Sequence, residues 1–381
     1  MPSGADRSAG RTLVVLHPSF ALTGVLHAIG GPLLPSLSVA FHLTDSQAGL
    51  LFFCYFAGTS LGALLCNQNY ARSMAVGFIG LTVACLGIVF TSRTFVLPAF
   101  LILGVCVGLP MSAASMFAGR NFAASSAPAL TFLNFSWSAG ALAAPLLAAR
   151  VLVDHTYRAA YGILAIAMLL ASAACWFLLA DAPEQPSNAD RPIGIRNVRF
   201  IATFAFLTFL EVGVENTTIS WLATYALRSG GTGASAAAAS SSLYWTGFLI
   251  ARGAWSWALL HINPTRVLRY TIVIAMLAAV LLISLPGGVT HGAAMFLLGA
   301  ALAPIFPLLL ARFFAGARHT SDSRWVLAIC GFGGSVLPWL TGSISSHSGS
   351  LRIGLMTVPA ALLVMICILP ALNRRQLRRD N

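Results

Sequence analysis

Run after run of about 20 residues passes with few charged side chains or none, and one membrane-spanning helix needs a stretch of that length. Such runs lie near 12–41, 46–67, 73–92, 94–119, 129–149, 159–180, 200–227, 234–259, 270–288, 292–311, 325–346 and 353–373, which makes twelve in 381 residues. Little chain is left between them beyond short connections of the kind that join helices in bundles. Charged residues are 8% of the chain and hydrophobic ones 58%, too little polar surface to coat a soluble globule of this size. The expected fold is an all-α membrane protein of 12 transmembrane helices. In hydrocarbon a helix satisfies its own backbone hydrogen bonds, and only a closed barrel does the same.

A net charge of +12 would point to nucleic acid in a soluble protein, but its placement matters more here. All 22 basic residues are Arg. With a cytoplasmic N-terminus, 17 of them fall on the inner side, and five, Arg93, Arg150, Arg158, Arg228 and Arg352, on the outer side. That split follows the positive-inside rule and puts both termini in the cytoplasm of a cell with a bacterial inner membrane. No nucleic-acid partner is needed to explain the charge; the partner is the lipid bilayer. The first apolar run is about twice the length of a signal-peptide core and has no small-residue cleavage site, so it reads as the first span. The seven cysteines are scattered through apolar spans with no C-x-x-C pair, so neither a disulfide framework nor a metal site is expected.

The longest polar stretch lies in the middle, from Asp181 to about Arg196, and separates six spans from six. The expected organisation is an N-terminal six-helix bundle over 1–180, a cytoplasmic linker over 181–196 and a C-terminal six-helix bundle over 197–381. The halves echo each other. Gly140 stands five residues before Pro145 in the fifth span, and Gly333 five before Pro338 in the eleventh; Leu103-Gly104 in the fourth is matched by Leu298-Gly299 in the tenth. Two pseudo-symmetric bundles of this kind are the arrangement that lets domains rock about a site at mid-membrane.

Gly30-Gly-Pro-Leu-Leu-Pro35, followed by Leu43-Thr-Asp-Ser-Gln-Ala-Gly-Leu50, resembles the first span of the major facilitator superfamily and its entry to the second. Trp245-Thr-Gly-Phe-Leu-Ile-Ala-Arg252 resembles its eighth span. Leu133-Asn-Phe-Ser-Trp-Ser-Ala-Gly140 and Leu210-Glu-Val-Gly-Val-Glu-Asn-Thr-Thr-Ile-Ser-Trp221 are similar to the fifth and seventh spans of the fucose:proton symporter family and its sugar-transporting relatives. The resemblance implies a secondary transporter. Two departures stand beside it. The connection Gly62–Arg72 lacks the acidic residue and most of the basic ones of the superfamily's loop signature, and no acid lies within any of the first six spans. The carboxylate that sugar:proton relatives often hold in the N-terminal half is therefore not carried over.

An ionised side chain in hydrocarbon is expensive and tends to be functional. Of the ten acids only Glu211 and Glu215 fall deep within a span. Their i, i+4 spacing puts them on one helix face with Cβ atoms about 5–6 Å apart. Two carboxylates that close and away from bulk water should not both ionise, so the pair is expected to take up and release a proton as a unit. The alternative for either is a polar tie to a neighbouring helix. Thr218 and Tyr225 continue the face. His27, in the first span, stands at a depth where an imidazole could relay a proton or bind a solute, or be a structural histidine. Asn134 and Trp137 offer an amide beside an aromatic plane, the means of holding a sugar, and pack equally well as helix contacts. Trp221, Tyr244 and Trp245 would add aromatic surface near the outer half of the cavity. Arg252, counted along its helix, sits nearer the cytoplasm than the glutamates and is expected to latch the inner gate.

With no Walker loop, metal cluster or nucleophile motif, neither a cofactor nor an enzyme is expected. The reading is a monomeric transporter that moves a monosaccharide or similar polyhydroxylated solute by alternating access, with protons. Glu211, Glu215 and His27 would couple the proton, and Glu215, Thr218, Asn134, Trp137, His27, Trp221, Tyr244 and Trp245 would bind the solute. Two other readings stay open: a proton-driven exporter of amphipathic compounds, and a membrane sensor or enzyme that moves nothing.

Overall fold

A computed structural model of the chain describes residues 4–66, 69–121, 126–179, 198–230, 233–259, 261–285, 289–316 and 323–377. The described residues are helical almost throughout. The first half contains α1 (Gly4–Phe41), α2 (Asp45–Leu64), α3 (Tyr70–Phe90), α4 (Val96–Asn121), α5 (Ser126–Asp154) and α6 (Tyr157–Leu178). The second contains α7 (Val198–Gly230), α8 (Ala234–Ser240), α9 (Ser242–Ala258), α10 (Pro264–Ser284), α11 (Val289–Leu302), α12 (Ile305–Gly316), α13 (Ser323–Ser348), α14 (Leu351–Gly354) and α15 (Thr357–Leu377).

Among the described residues nine stretches are long and apolar enough to cross a bilayer. The expected spans they leave over are α7, α13 and the pair α8–α9, which complete twelve. Each falls short for a local reason. The first carries Glu211 and Glu215 within the membrane, the second is rich in Gly and Ser, and α9 has only 17 residues. Three expected spans are broken. The eighth parts at Ser241, where the Ser240 and Ser241 hydroxyls donate to the carbonyls of Ala237 and Ala238 and so compete with the helix ladder. The tenth parts beside Pro304, which has no N–H to give, and the twelfth parts between Gly354 and Thr357. Elsewhere proline is absorbed: α1 runs through Pro18, Pro32 and Pro35, and α13 through Pro338.

The chain forms two compact units, one of the described residues of 1–43, 51–188 and 233–242, the other of those of 44–50, 189–232 and 243–381. The expected linker, 181–196, lies outside the described residues. Within the first unit α1 packs on α5, α3 on α4 and α6, and α1 also on α6 and α4. Within the second, α7 packs on α13, α10 on α11 and α15, and α7 also on α15 and α12. The two contact patterns match, helix for helix, when α1 is laid on α7, α3 on α10 and α5 on α13.

The paired glycines explain why. A Cβ on Gly140 would strike the carbonyl of Ala21 in α1, and one on Gly333 the carbonyl of Phe209 in α7. Likewise Gly104 faces the Tyr55 carbonyl of α2, and Gly299 the Tyr244 carbonyl of α9. Where lipid removes the hydrophobic drive between helices, small residues that let backbones touch hold a bundle together. The outward faces are apolar at helical spacing. Val76, Ile79, Val83, Leu86 and Phe90 lie exposed along α3, and Tyr270, Ile274, Leu277 and Leu281 along α10. Water would not tolerate such stripes, but acyl chains solvate them.

Candidate functional site

The first unit builds an aromatic box around one imidazole. His27 of α1 has the ring of Trp137 (α5) at 5.2 Å between centroids, Phe56 (α2) at 5.3 Å and Tyr55 (α2) at 6.3 Å. Trp137, Phe56 and Tyr55 are buried, while His27 keeps partial access. The Tyr55 hydroxyl donates to the Leu26 carbonyl at 3.2 Å, which ties α2 to α1 beside the box. A cation above such rings is attracted by their quadrupoles, so the box suits the protonated imidazole or the C–H face of a solute. Asn134, one turn before Trp137, is exposed. Sequence reasoning brought His27 and Trp137 forward but not Tyr55 and Phe56. Their one signal was internal: Tyr55-Phe-Ala-Gly58 is echoed by Tyr244-Trp-Thr-Gly247.

The second unit gathers the charges. Glu211 is wholly buried, and neither carboxyl oxygen has a hydrogen-bond partner among the described residues. Glu215, one turn on, is partly accessible. Arg252 of α9 interacts electrostatically with both, and its guanidinium carbon sits 4.5 Å from the centre of the Phe248 ring. The Tyr244 phenol, buried on the same helix, and the Cys330 thiol of α13 share this environment. The counting that set Arg252 apart from the glutamates took no account of side-chain reach. A guanidinium on a long stem can reach well beyond its own Cα.

Other expected solute contacts lie in helix packing. Trp221 is fully buried, and its indole N–H donates to the Pro338 carbonyl of α13 at 3.0 Å. Thr218 donates to the Val214 carbonyl at 2.8 Å. Trp245 is buried edge-on against Tyr244 at 5.3 Å. Tyr225, which continues the same helix face and is not among the expected contacts, donates to the Ile283 carbonyl of α10 at 3.1 Å.

Sequence reading missed one ion pair. Arg228, at the end of α7, meets Asp45 through two hydrogen bonds of 2.6 and 2.7 Å, and the Ser345 hydroxyl of α13 donates to the same carboxylate. The backbone N–H of Ser46 donates to Ser346 at 2.8 Å. These contacts account for the grouping of residues 44–50 with the second unit.

The Major Facilitator Superfamily model matches residues 16–322. The glucose/mannose transporter GlcP of Bacillus subtilis is 24% identical over 375 residues, 92% of each chain. Among solved structures, the E. coli fucose:proton symporter FucP superposes with a TM-score of 0.64 at 18% identity, covering 94% of this chain and 97% of that one. A D-xylose–proton symporter superposes with a TM-score of 0.74 at 14% identity, with coverage of 94% and 97%.

Proposed function

The chain belongs to the Major Facilitator Superfamily, and from that premise we propose that it is a sugar:proton symporter working by alternating access. It is a transporter of a family without catalytic chemistry, and its solute is a monosaccharide or a similarly hydroxylated molecule. The reading is supported by the glucose/mannose transporter among its relatives and by sugar:proton symporters among its structural neighbours. The observation that carries the proton part is the Glu211 and Glu215 pair inside a span, the first sealed and without a hydrogen-bond partner among the described residues. An ionised carboxylate held that way is costly, so its charge is removed by a proton or matched by a neighbour, and either state answers to the occupancy of the site.

Each unit has its part. Glu215, which keeps access, exchanges the proton and accepts hydrogen bonds from solute hydroxyls. The His27 box, with Trp137 as its largest plane, stacks on the solute, and Asn134 adds an exposed amide. Both termini lie in the cytoplasm, and the protein works as a monomer in the inner membrane.

The test is uptake of radiolabelled glucose, mannose, galactose, fucose and xylose into proteoliposomes, with and without an inward proton gradient, for wild type and Glu215→Gln. At least one sugar should accumulate with the gradient, and the variant should lose that stimulation. Uptake of no sugar would sink the reading in favour of an exporter of amphipathic compounds. Uptake indifferent to both gradient and variant would leave a facilitator.

A further inference from the structure

We propose that a cavity between the start of α3 and the end of α6 holds the phosphate headgroup of an anionic phospholipid. The proposal stands on the place of these two helices in the bilayer and not on the symport reading. Both are spans, Tyr70–Phe90 and Tyr157–Leu178, so the first turn of one and the last turn of the other lie at headgroup level. There they leave a cavity of about 400 Å³, lined by Asn69, Ala71, Arg72 and Ala75 on one side and by Cys175 and Trp176 on the other.

Ties within the first unit fix its walls. The Asn69 side-chain oxygen accepts from the backbone N–H of Arg72 at 2.9 Å, which caps α3 and leaves the amide NH2 as a donor. The Ser172 hydroxyl of α6, one turn before Trp176, donates to the Ala75 carbonyl of α3 at 2.9 Å. Ala75 and Cys175 are buried, whereas Arg72 is exposed and Trp176 half exposed. Charge decides what can enter. Neither α3 nor α6 carries an acid, and none stands in the connection Gly62–Arg72. The walls therefore offer a guanidinium and an amide, and no carboxylate for an ammonium group. A guanidinium meets phosphate oxygens through paired N–H donors, and an indole suits the same depth of the membrane. A phosphatidylglycerol headgroup has only acceptors and hydroxyls to satisfy there, while the ammonium of phosphatidylethanolamine would find no partner on these walls. Further into the membrane Val76, Ile79 and Val83 lie exposed along α3, and Leu169 and Ile166 along α6. Those residues offer a track for acyl chains, which favours a lipid over a free phosphate ion.

Native mass spectrometry of the purified protein, titrated with phosphatidylglycerol or with phosphatidylethanolamine of the same chains, reads the affinity for the first lipid bound. Phosphatidylglycerol should bind the wild type about fivefold more tightly, the worth of one arginine against an anionic headgroup. Arg72→Gln, which removes the charge, should erase that preference, and Ala71→Phe, which keeps the charge and plugs the cavity, should weaken binding of the same lipid. Arg266→Gln takes an exposed charge from the matched turn of α10, behind its own capping Asn263, and should leave the affinity unchanged. Equal binding of the two lipids by the wild type would overturn the proposal, as would Arg72→Gln that keeps the preference. Equal loss in Arg72→Gln and Arg266→Gln, or full affinity in Ala71→Phe, would also overturn it by showing diffuse attraction to the bilayer surface. Displacement of the lipid by millimolar inorganic phosphate would assign the cavity to a free anion instead. If Ala71→Phe melts below the wild type, Ala71→Leu serves as the smaller plug.

Discussion

Whatever charge the Glu211 carboxyl carries has to be matched by side chains brought to it, since no solvent reaches it. Half of that environment was legible in the sequence, because i, i+4 spacing on one helix fixes that Glu211 and Glu215 are neighbours. The other half was not. Arg252 arrives from another helix, so its meeting with the pair is not written in local spacing, although the ring of Phe248 beneath it, one turn earlier on α9, is. The same holds for His27, whose depth could be read but whose box depends on α1, α2 and α5 meeting. If that box stacks on the solute, Trp137 should dominate it by area. Trp137→Ala should raise the KM for the transported sugar about tenfold, a loss of about 1.4 kcal/mol within the range of aromatic contacts. Trp137→Phe should fall between the two, and the maximal rate should change less than KM. An unchanged KM in Trp137→Ala would show that the indole serves packing alone.

Helix contacts in a bilayer depend on how near two backbones can come, and here the paired glycines set that distance. The repeat was visible as two weak echoes, Gly140 with Gly333 and Gly104 with Gly299, and their meaning came only with the packing. What stayed hidden is where helices break, since Ser241 parts its span while Pro338 does not part α13. The outcome turns on whether neighbouring groups satisfy the freed backbone, which is a tertiary matter. Substitution separates contact from propensity. In an open helix Gly→Ala gains about 1 kcal/mol, whereas overpacking a tight contact costs about 1–3 kcal/mol. Gly140→Ala and Gly333→Ala place a methyl group against a backbone carbonyl of the facing helix, while Gly162→Ala in α6 meets nothing within 4 Å. Thermal unfolding of the purified protein should therefore fall for the first two and hold or rise for the third. Equal melting of Gly333→Ala and Gly162→Ala would mean that α7 and α13 can part without loss.

At the scale of the whole molecule the two units repeat one packing scheme, so packing alone cannot say which end of either unit faces the cytoplasm. A duplicated helical scaffold would insert either way up, and the Arg distribution would break that degeneracy: 16 against five once Arg252, inside α9, is left out, with no Lys to add to either side. Charge near short connections orients a chain during insertion because moving it across the membrane is opposed. A fluorescent reporter that matures only in the cytoplasm should thus be bright when fused at either terminus. A phosphatase that is active only outside should be silent at both and active in the turn after Asp154. That orientation would also put the Asp45, Arg228 and Ser345 cluster, at the far end of α7 from Val198, on the outer side. The reverse pattern of reporters would leave the fold as described but set most of the arginines outside. It would then have to be explained why so lopsided a charge failed to orient the chain.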